Sequence, residues 1–226
     1  MLNRLLLCGF TLLALAVTAA AQETAQAYLD RGREQLEHKQ YLQAKESFEA
    51  AVRLGPNLAE AYYYRGQVQM DRDEGEKDFT KAIELKPDFA DAYYQRGLNR
   101  DLNNNAAGAM KDYNRALELN PRLINAYMTR AVLYMLDNKY PLAIADYTKV
   151  IELQPDGTGY YVRGTAYLDS HRYAEAVKDL TRSIELDPTY YWSYMQRAKA
   201  YRALRRYRLA QADEAKAAAI GPPSGD

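Results

Sequence analysis

Little in this chain invites covalent or metal chemistry: its 226 residues include one cysteine, two histidines and one tryptophan, and 30 lysines and arginines balance 30 aspartates and glutamates. The cysteine, Cys8, lies in a leading apolar run, so the rest of the chain holds no thiol for a disulfide framework or a thiolate metal site. That run follows Arg4, is almost wholly apolar from Leu5 to Val17, and gives way to Ala19-Ala20-Ala21 before Gln22. A basic start, a short apolar stretch and small residues at its end form the pattern of a secretory signal peptide, too short to span a bilayer comfortably. Residues 1–21 are therefore expected to be removed and the product exported, to a periplasm or, alternatively, to the medium. Cys8 follows Leu7, where lipid attachment needs a small residue, so lipidation is rejected. No second long apolar stretch follows, so no stable membrane insertion is expected after cleavage. Loss of Arg4 leaves 29 bases against 30 acids, a formal charge of −1. Intermixed signs near neutrality lack the electrostatic footprint of a nucleic-acid binder.

The two histidines, His38 and His171, stand far apart with no ligand set around them, so no metal is expected. The acidic run Asp71-Arg72-Asp73-Glu74-Gly75-Glu76 superficially suggests a calcium loop. Its glycine comes one position early, and Ala82 stands where a bidentate glutamate is needed. No HExxH, nucleophile motif or phosphate-binding glycine loop occurs. The sequence predicts neither an enzyme nor a cofactor site.

Tyrosine, by contrast, is abundant, with 21 copies, and it is periodic. Six times a tyrosine is followed by arginine and then glycine or alanine: Tyr28-Arg31-Gly32, Tyr62-Arg65-Gly66, Tyr93-Arg96-Gly97, Tyr127-Arg130-Ala131, Tyr160-Arg163-Gly164 and Tyr194-Arg197-Ala198. The spacings are 34, 31, 34, 33 and 34 residues, and each block runs to a proline: Pro56, Pro87, Pro121, Pro155, Pro188 or Pro222. A sustained period of that size means a stacked array of one supersecondary unit.

Within the fourth block, apolar residues recur at helical spacing from Ala126 to Leu136 and from Pro141 to Leu153, around the break Asp137-Asn138-Lys139. Two amphipathic runs around a polar break read as a helical hairpin. Pro141 suits a first helical turn, and Pro155 stops the helix. The glycines and alanines of the triplets allow close helix approach. The second helix answers with Ala44, Ala109, Ala143, Ala176 and Ala210, and with bulk at Phe48, Phe79, Tyr113, Tyr147 and Leu180.

An aromatic residue, Gly or Ala four positions on, Ala-x-x-x-aromatic in the second helix and a closing proline resemble the tetratricopeptide repeat (TPR) family, in register over residues 25 to 222. The resemblance implies an all-α, right-handed α-solenoid of six helical hairpins within residues 22–222. The repeats fall at about 25–58, 59–89, 90–123, 124–156, 157–190 and 191–222, with a short tail at 223–226. The family usually places an apolar residue where all six copies here carry arginine. Five copies add an aspartate in the second helix, and an antiparallel hairpin brings the two positions to matching depth. A ladder Arg65–Asp78, Arg96–Asp112, Arg130–Asp146, Arg163–Asp179 and Arg197–Asp213 is expected; anion binding by the arginines is the alternative. The first repeat has Ser47 there, with Glu46 beside it as a substitute partner for Arg31.

Irregularities are expected at four places. Repeat two is three residues short, which predicts a compressed turn at residues 71–76. Pro155-Asp156-Gly157-Thr158-Gly159 reads as a hinge or a tighter turn. Glu214 replaces an aromatic or leucine, as a polar capping face needs. Tyr28, Leu29 and Leu36 start the array poorly covered, which makes homo-oligomerisation through repeat one a hypothesis.

By resemblance, a concave wall takes positions beside each repeated tyrosine, which itself is assigned to the hairpin core. Among these, Leu29, Tyr63, Tyr64, Tyr94, Gln95, Met128, Thr129, Tyr161, Trp192, Met195 and Gln196 are the candidate peptide-binding residues. Aromatic rings with a polar handle, interleaved with Met and Gln, are what peptide surfaces use; packing against neighbouring repeats is the competing reading. The family's clamp for a C-terminal carboxylate would fall on Leu29, Arg33, Tyr64, Asp91 and Gln95, where only Arg33 is cationic, so that clamp is absent. The expected function is a non-enzymatic adaptor of a bacterial envelope that binds a protein or peptide. The alternatives are a structural subunit of an envelope complex and an accessory role in polysaccharide or peptidoglycan handling.

Overall fold

A computed structural model describes residues 24–222; the expected signal segment with Cys8, and the tail 223–226, lie outside the described residues. Among those described, the regular structure is entirely helical. The helices are α1 (24–37), then α2 (Tyr41–Leu54), α3 (Ala59–Val68), α4 (Arg72–Leu85), α5 (Ala90–Leu102) and α6 (Ala106–Leu119). They continue as α7 (Ile124–Leu136), α8 (Tyr140–Leu153), α9 (Gly157–Asp169), α10 (Tyr173–Leu186), α11 (Tyr191–Ala203) and α12 (Tyr207–Ile220). Consecutive helices pair into hairpins: α3 with α4, α5 with α6, α7 with α8, α9 with α10 and α11 with α12. The chain divides between Asn120 and Pro121 into two compact units. In the first, α2 packs on α3 and α4 on α5; in the second, α8 packs on α9 and α10 on α11. None of the described helices is long and apolar enough to cross a membrane.

Local chemistry sets the helix ends. Every second helix stops two residues before a block-closing proline. The residue between is forced out of the helical region, because the proline ring clashes with its backbone. Lys86, Asn120, Gln154 and Asp187 accordingly take φ between −135° and −144°. In five of the six interhelical turns, one residue adopts a left-handed conformation: Lys39, Asn104, Asn138, His171 and Arg205, with φ of 56–61°. The next N–H in each turn donates to the carbonyl five residues back, as from Lys139 to Tyr134 at 2.8 Å. That is a Schellman closure, which satisfies carbonyls a helix end leaves open.

The cores are built from the second helix. Ala143, Ile144, Tyr147, Val150 and Ile151 are buried on one stripe of α8, the spacing of an amphipathic helix. Phe48, Phe79, Tyr113 and Leu180 are equally enclosed, each such burial contributing about 1.5–3 kcal/mol. The triplet glycines make room for them: a Cβ on Gly97 would lie 2.6 Å from the Tyr113 ring.

Repeat two departs from the compressed turn expected at residues 71–76. Those residues instead begin α4, where Asp71 accepts from the amides of Asp73 and Glu74 at 2.8 and 3.3 Å. The missing residues come out of α3, which has 10 residues against 13 in α5. Nearly one helical turn is lost, and this hairpin has no left-handed residue in its turn. Gly75 is buried inside α4, four residues before Phe79, and thus fills the small-residue position of its siblings. A Cβ there would meet the Gly66 carbonyl at 3.2 Å and Asn99 at 2.8 Å. The shortened α3 leaves the start of α4 to be held by α5. Asn99 donates to the Arg72 carbonyl at 3.2 Å, Asn103 to Asp73 at 3.1 Å, and Arg100 to Glu76 at 2.7 Å.

The glycine-rich junction ahead of α9 is a capped helix start. Asp156 accepts from the Gly159 amide at 2.9 Å, and Gly159 is buried with Ile151 3.0 Å from where its Cβ would be. Repeat one also differs from expectation. Leu29 is only 3 % exposed, packed with Ala44, Phe48 and Ala61. It is core, because α2 and α3 together close over it, and it is withdrawn from the peptide-binding set. Tyr28 and Leu36 are partly buried against the same cluster.

Candidate functional site

Two families of side chains need assigning: the arginine ladder and the wall beside the repeated tyrosines. In the ladder, each arginine lies on a first helix and its aspartate one position before Phe79, Tyr113, Tyr147, Leu180 or Glu214 of the second. Arg65 Nε donates to Asp78 at 2.8 Å. Arg96 donates to Asp112 at 2.9 and 2.8 Å, Arg130 to Asp146 at 2.8 and 2.7 Å, Arg163 to Asp179 at 2.7 and 3.0 Å, and Arg197 to Asp213 at 2.8 and 2.7 Å. All five aspartates are buried. Burial opposes the charge on Arg96 most strongly, but the hydrogen bonds to Asp112 and its negative charge together outweigh it and hold that guanidinium above its usual range. Asp112 also accepts from Arg100 at 2.9 Å. The first repeat lacks this arrangement: Ser47 donates to Gln35 at 2.7 Å. Arg31 is exposed and, among the described residues, forms no ion pair with Glu46.

A third contact, absent from the sequence reading, ties three of the hairpins to the one before. The remaining nitrogen of Arg96 donates to Thr80 at 3.2 Å, that of Arg163 to Thr148 at 3.1 Å and that of Arg197 to Thr181 at 3.0 Å. Thr148 and Thr181 donate their own protons to the carbonyls of Ile144 and Val177, both at 2.7 Å. Their oxygens are left free to accept. The forks of Arg96, Arg163 and Arg197 are thus occupied, and the anion-binding alternative loses those donors.

The repeated tyrosines sit at the edge of the hairpin core. Tyr194 is buried and the other five are half-buried, with Tyr28, Tyr62 and Tyr93 packed against core clusters. They cover the arginines: the guanidinium carbons of Arg65, Arg96 and Arg130 stand 5.4, 5.4 and 5.6 Å from the rings of Tyr62, Tyr93 and Tyr127. In the second unit Tyr134, Tyr167 and Tyr201 add a second ring to Arg130, Arg163 and Arg197 at 5.8–5.9 Å. A guanidinium tolerates an aromatic face better than an aliphatic one.

In the first unit the wall carries Tyr63, Tyr64, Tyr94 and Gln95, all half-buried. Tyr64 stacks on Phe48 at 5.5 Å with Arg33 5.5 Å from its ring. Tyr63 packs edge-on to Tyr64 at 5.0 Å and lies 4.7 Å from Phe89. Its hydroxyl accepts from Gln67 at 2.8 Å. Burial, then the Asp91 charge, push its ionisation far above the ordinary tyrosine range, while Gln95 opposes this through a hydrogen bond. Tyr94 lies 6.0 Å from Tyr113. Lys86 joins this wall from the end of α4, 3.0 Å from Glu60 and 4.8 Å from the Phe89 ring.

In the second unit, Met128 and Val162 pack against the cluster around Tyr147, and the Thr129 hydroxyl is bound to the Asn125 carbonyl at 2.9 Å. Tyr161 meets Tyr190 edge-on at 5.1 Å. Met195 and Gln196 are half-buried, and the Gln196 Oε1 is enclosed without a hydrogen-bond partner. Trp192 is 42 % exposed. With Tyr190, Tyr191, Ile220 and Pro222 it lines a cleft of about 310 Å³. The sequence reading missed Asp169, whose carboxyl is pushed up by burial and only partly offset by Lys199. It also missed the buried Ser183–Ser193 hydroxyl pair at 2.7 Å. Glu214 pairs with Arg202 at 2.7 and 2.8 Å, so the last hairpin carries an ion pair where its siblings put bulk. Among the described residues no group of His, Cys, Asp and Glu could hold a metal ion.

The tetratricopeptide repeat description matches residues 29–74, 90–123, 124–156 and 157–190. No curated protein sequence matches the chain. Among solved structures, the fold is similar to that of MamA (24% identity, TM-score 0.64, covering 74% of this chain and 93% of that one). It is similar also to YrrB (22%, 0.63, 79% and 95%) and to PilF of Pseudomonas aeruginosa (15%, 0.74, 91% and 95%). At these identities the likeness is one of fold.

Proposed function

From a chain that belongs to the tetratricopeptide-repeat family, whose members are typically non-enzymatic, protein-binding scaffolds, we propose an adaptor of a bacterial cell envelope. It is exported, acts in the periplasm, and holds an extended or helical segment of a partner protein against the walls of its first helices. The observation that carries this reading is Trp192. It is a large aromatic 42 % exposed beside an open cleft, at a position where hairpin packing does not enclose it. Burying such a ring on a partner is the commonest way a few residues dominate a protein interface. In the first unit Tyr63, Tyr94 and Gln95 supply rings with polar tips and an amide. YrrB is described as having an unusual peptide-binding site, which shows that this fold can present such a surface. The export half of the proposal rests on residues 1–21.

The test is crosslinking of the mature protein in its envelope, with mass-spectrometric identification of what it touches, repeated with Tyr94→Ala and Trp192→Ala. Loss of a specific protein crosslink in the variants supports the adaptor. Loss of glycan retention instead would replace it with polysaccharide handling.

A second reading has its own observation. Tyr41 and Leu42, at the start of α2, are 57 % and 74 % exposed, a surface on which two copies of repeat one could meet. Sedimentation of wild type against Leu42→Ser decides it: a monomer at high concentration removes self-association.

A further inference from the structure

The turn between α11 and α12 is unlike its five siblings. From Lys199 to Ala212 the chain reads KAYRALRRYRLAQA, with Lys199, Arg202, Arg205, Arg206 and Arg208 and no acid. The equivalent stretches of the other five hairpins, helix ends included, each contain at least one carboxylate, such as Glu37, Asp71, Asp101, Asp137 and Asp169. The nearest acids are already engaged, Asp213 by Arg197 and Glu214 by Arg202. Arg205, Arg206 and Arg208 are exposed. Beside them Tyr207 and Leu209 are 58 % and 47 % exposed.

Fold stability does not account for this placement. Arg206 is the cap residue of α12, with no side-chain cap bond, and no acid lies in the first turn. Cations at the positive end of a helix dipole oppose folding. Basic caps also begin α8 and α10, but there Lys139 pairs with Asp137 at 2.6 Å and Arg172 with Glu175 at 2.8 Å. A run that contradicts the local rule without a compensating contact inside the fold points to a partner outside it.

We propose that this turn docks the protein on an anionic phospholipid surface. Arg205, Arg206 and Arg208 meet headgroup phosphates, Tyr207 settles at the headgroup level, and Leu209 reaches the acyl boundary. Guanidinium groups match phosphate oxygens in pairs. Arginines interleaved with exposed tyrosine and leucine are the composition of interfacial segments. A soluble polyanion would use the arginines and leave Leu209 idle, so the exposed apolar side chain favours the membrane. The inference does not depend on the aromatic walls, which use other residues.

The experiment is co-sedimentation of the full mature chain with phosphatidylglycerol–phosphatidylcholine vesicles, with pure phosphatidylcholine vesicles, and its retention on soluble polyphosphate. The triple variant Arg205→Asn, Arg206→Gln, Arg208→Gln keeps a left-handed-tolerant residue at 205. Its binding to the anionic vesicles should be weaker by roughly 100-fold, from three arginines near an anionic surface. Leu209→Asn should weaken vesicle binding and leave polyphosphate retention unchanged, and Tyr94→Ala should alter neither. Equal vesicle binding by the triple variant and wild type overturns the proposal. So does equal binding to neutral vesicles, or a Leu209→Asn variant that holds vesicles as well as wild type does. Circular dichroism of each variant, at wild-type helicity, assures that a loss is local.

Discussion

Arg31 and Arg96 occupy the same place in the repeat, yet their surroundings separate them. Asp112 accepts from both Arg96 and Arg100 while almost wholly enclosed. Asp112→Ala should therefore lower stability by about 3–5 kcal/mol, the range for breaking a buried ion pair. Arg31→Ala should fall within about 0.5 kcal/mol, as exposed substitutions do. Urea titration of both variants checks the contrast, and equal losses would show that the guanidinium–carboxylate geometry is not what matters. Tyr147 gives a pH signature. Burial and then the neighbouring Asp146 charge push its ionisation from 10.0 to about 12. The folded state thus holds this proton more tightly than the unfolded chain. The associated stability is complete below pH 10 and is lost as pH rises through about 12. The stability difference between wild type and Tyr147→Phe should shrink over that window and stay flat at lower pH. The arginine–aspartate pairing was legible because both partners recur at fixed offsets within one hairpin. Thr80, Thr148 and Thr181 were not, because each serves an arginine on the following hairpin. Leu29 was misplaced for a related reason: its cover comes from two later helices, and nothing beside it in the sequence announces them.

At the scale of the element, repeat two is the sensitive one. Gly75 lies in the interior of α4, where helix propensity alone predicts that alanine would stabilise by about 0.8–1.0 kcal/mol. The Gly66 carbonyl stands 3.2 Å from where that methyl would sit, and backbone cannot yield as a side chain can. Gly75→Ala should therefore destabilise, by about 1–3 kcal/mol, as overpacking does. Thermal unfolding settles the sign, and a higher Tm would mean that α3 and α4 can separate at no cost. The sequence revealed that three residues were missing here but not where. A deletion near one helical period can be absorbed by shortening the helix as readily as by tightening a turn. The helix ends, by contrast, were readable to within a few residues, since proline acts on the backbone beside it whatever the tertiary context.

For the whole molecule, the repeat period sufficed to give the fold class, because six copies of one pattern admit few architectures. The candidate wall was less readable. Positions beside the repeated tyrosines hold rings that pack inward, such as Tyr64 on Phe48, and a ring that stays open, Trp192. Only the neighbours' placement distinguishes the two. The export reading makes its own prediction at this scale: protein recovered from the periplasm should begin at Gln22, measurable as intact mass. A product that retains residues 1–21 would remove the envelope from the proposal.

The threonine links give the hairpins a rule of succession. A module ending in the Asp-x-Thr of repeats two, four or five carries an acceptor for whichever arginine comes next. Repeat six offers Ala215 at that place. Lengthening the protein by copying repeat five should therefore yield a seamless longer array. A copy of repeat six inserted in the middle would leave the next guanidinium one acceptor short, and the seam would be the first place to open.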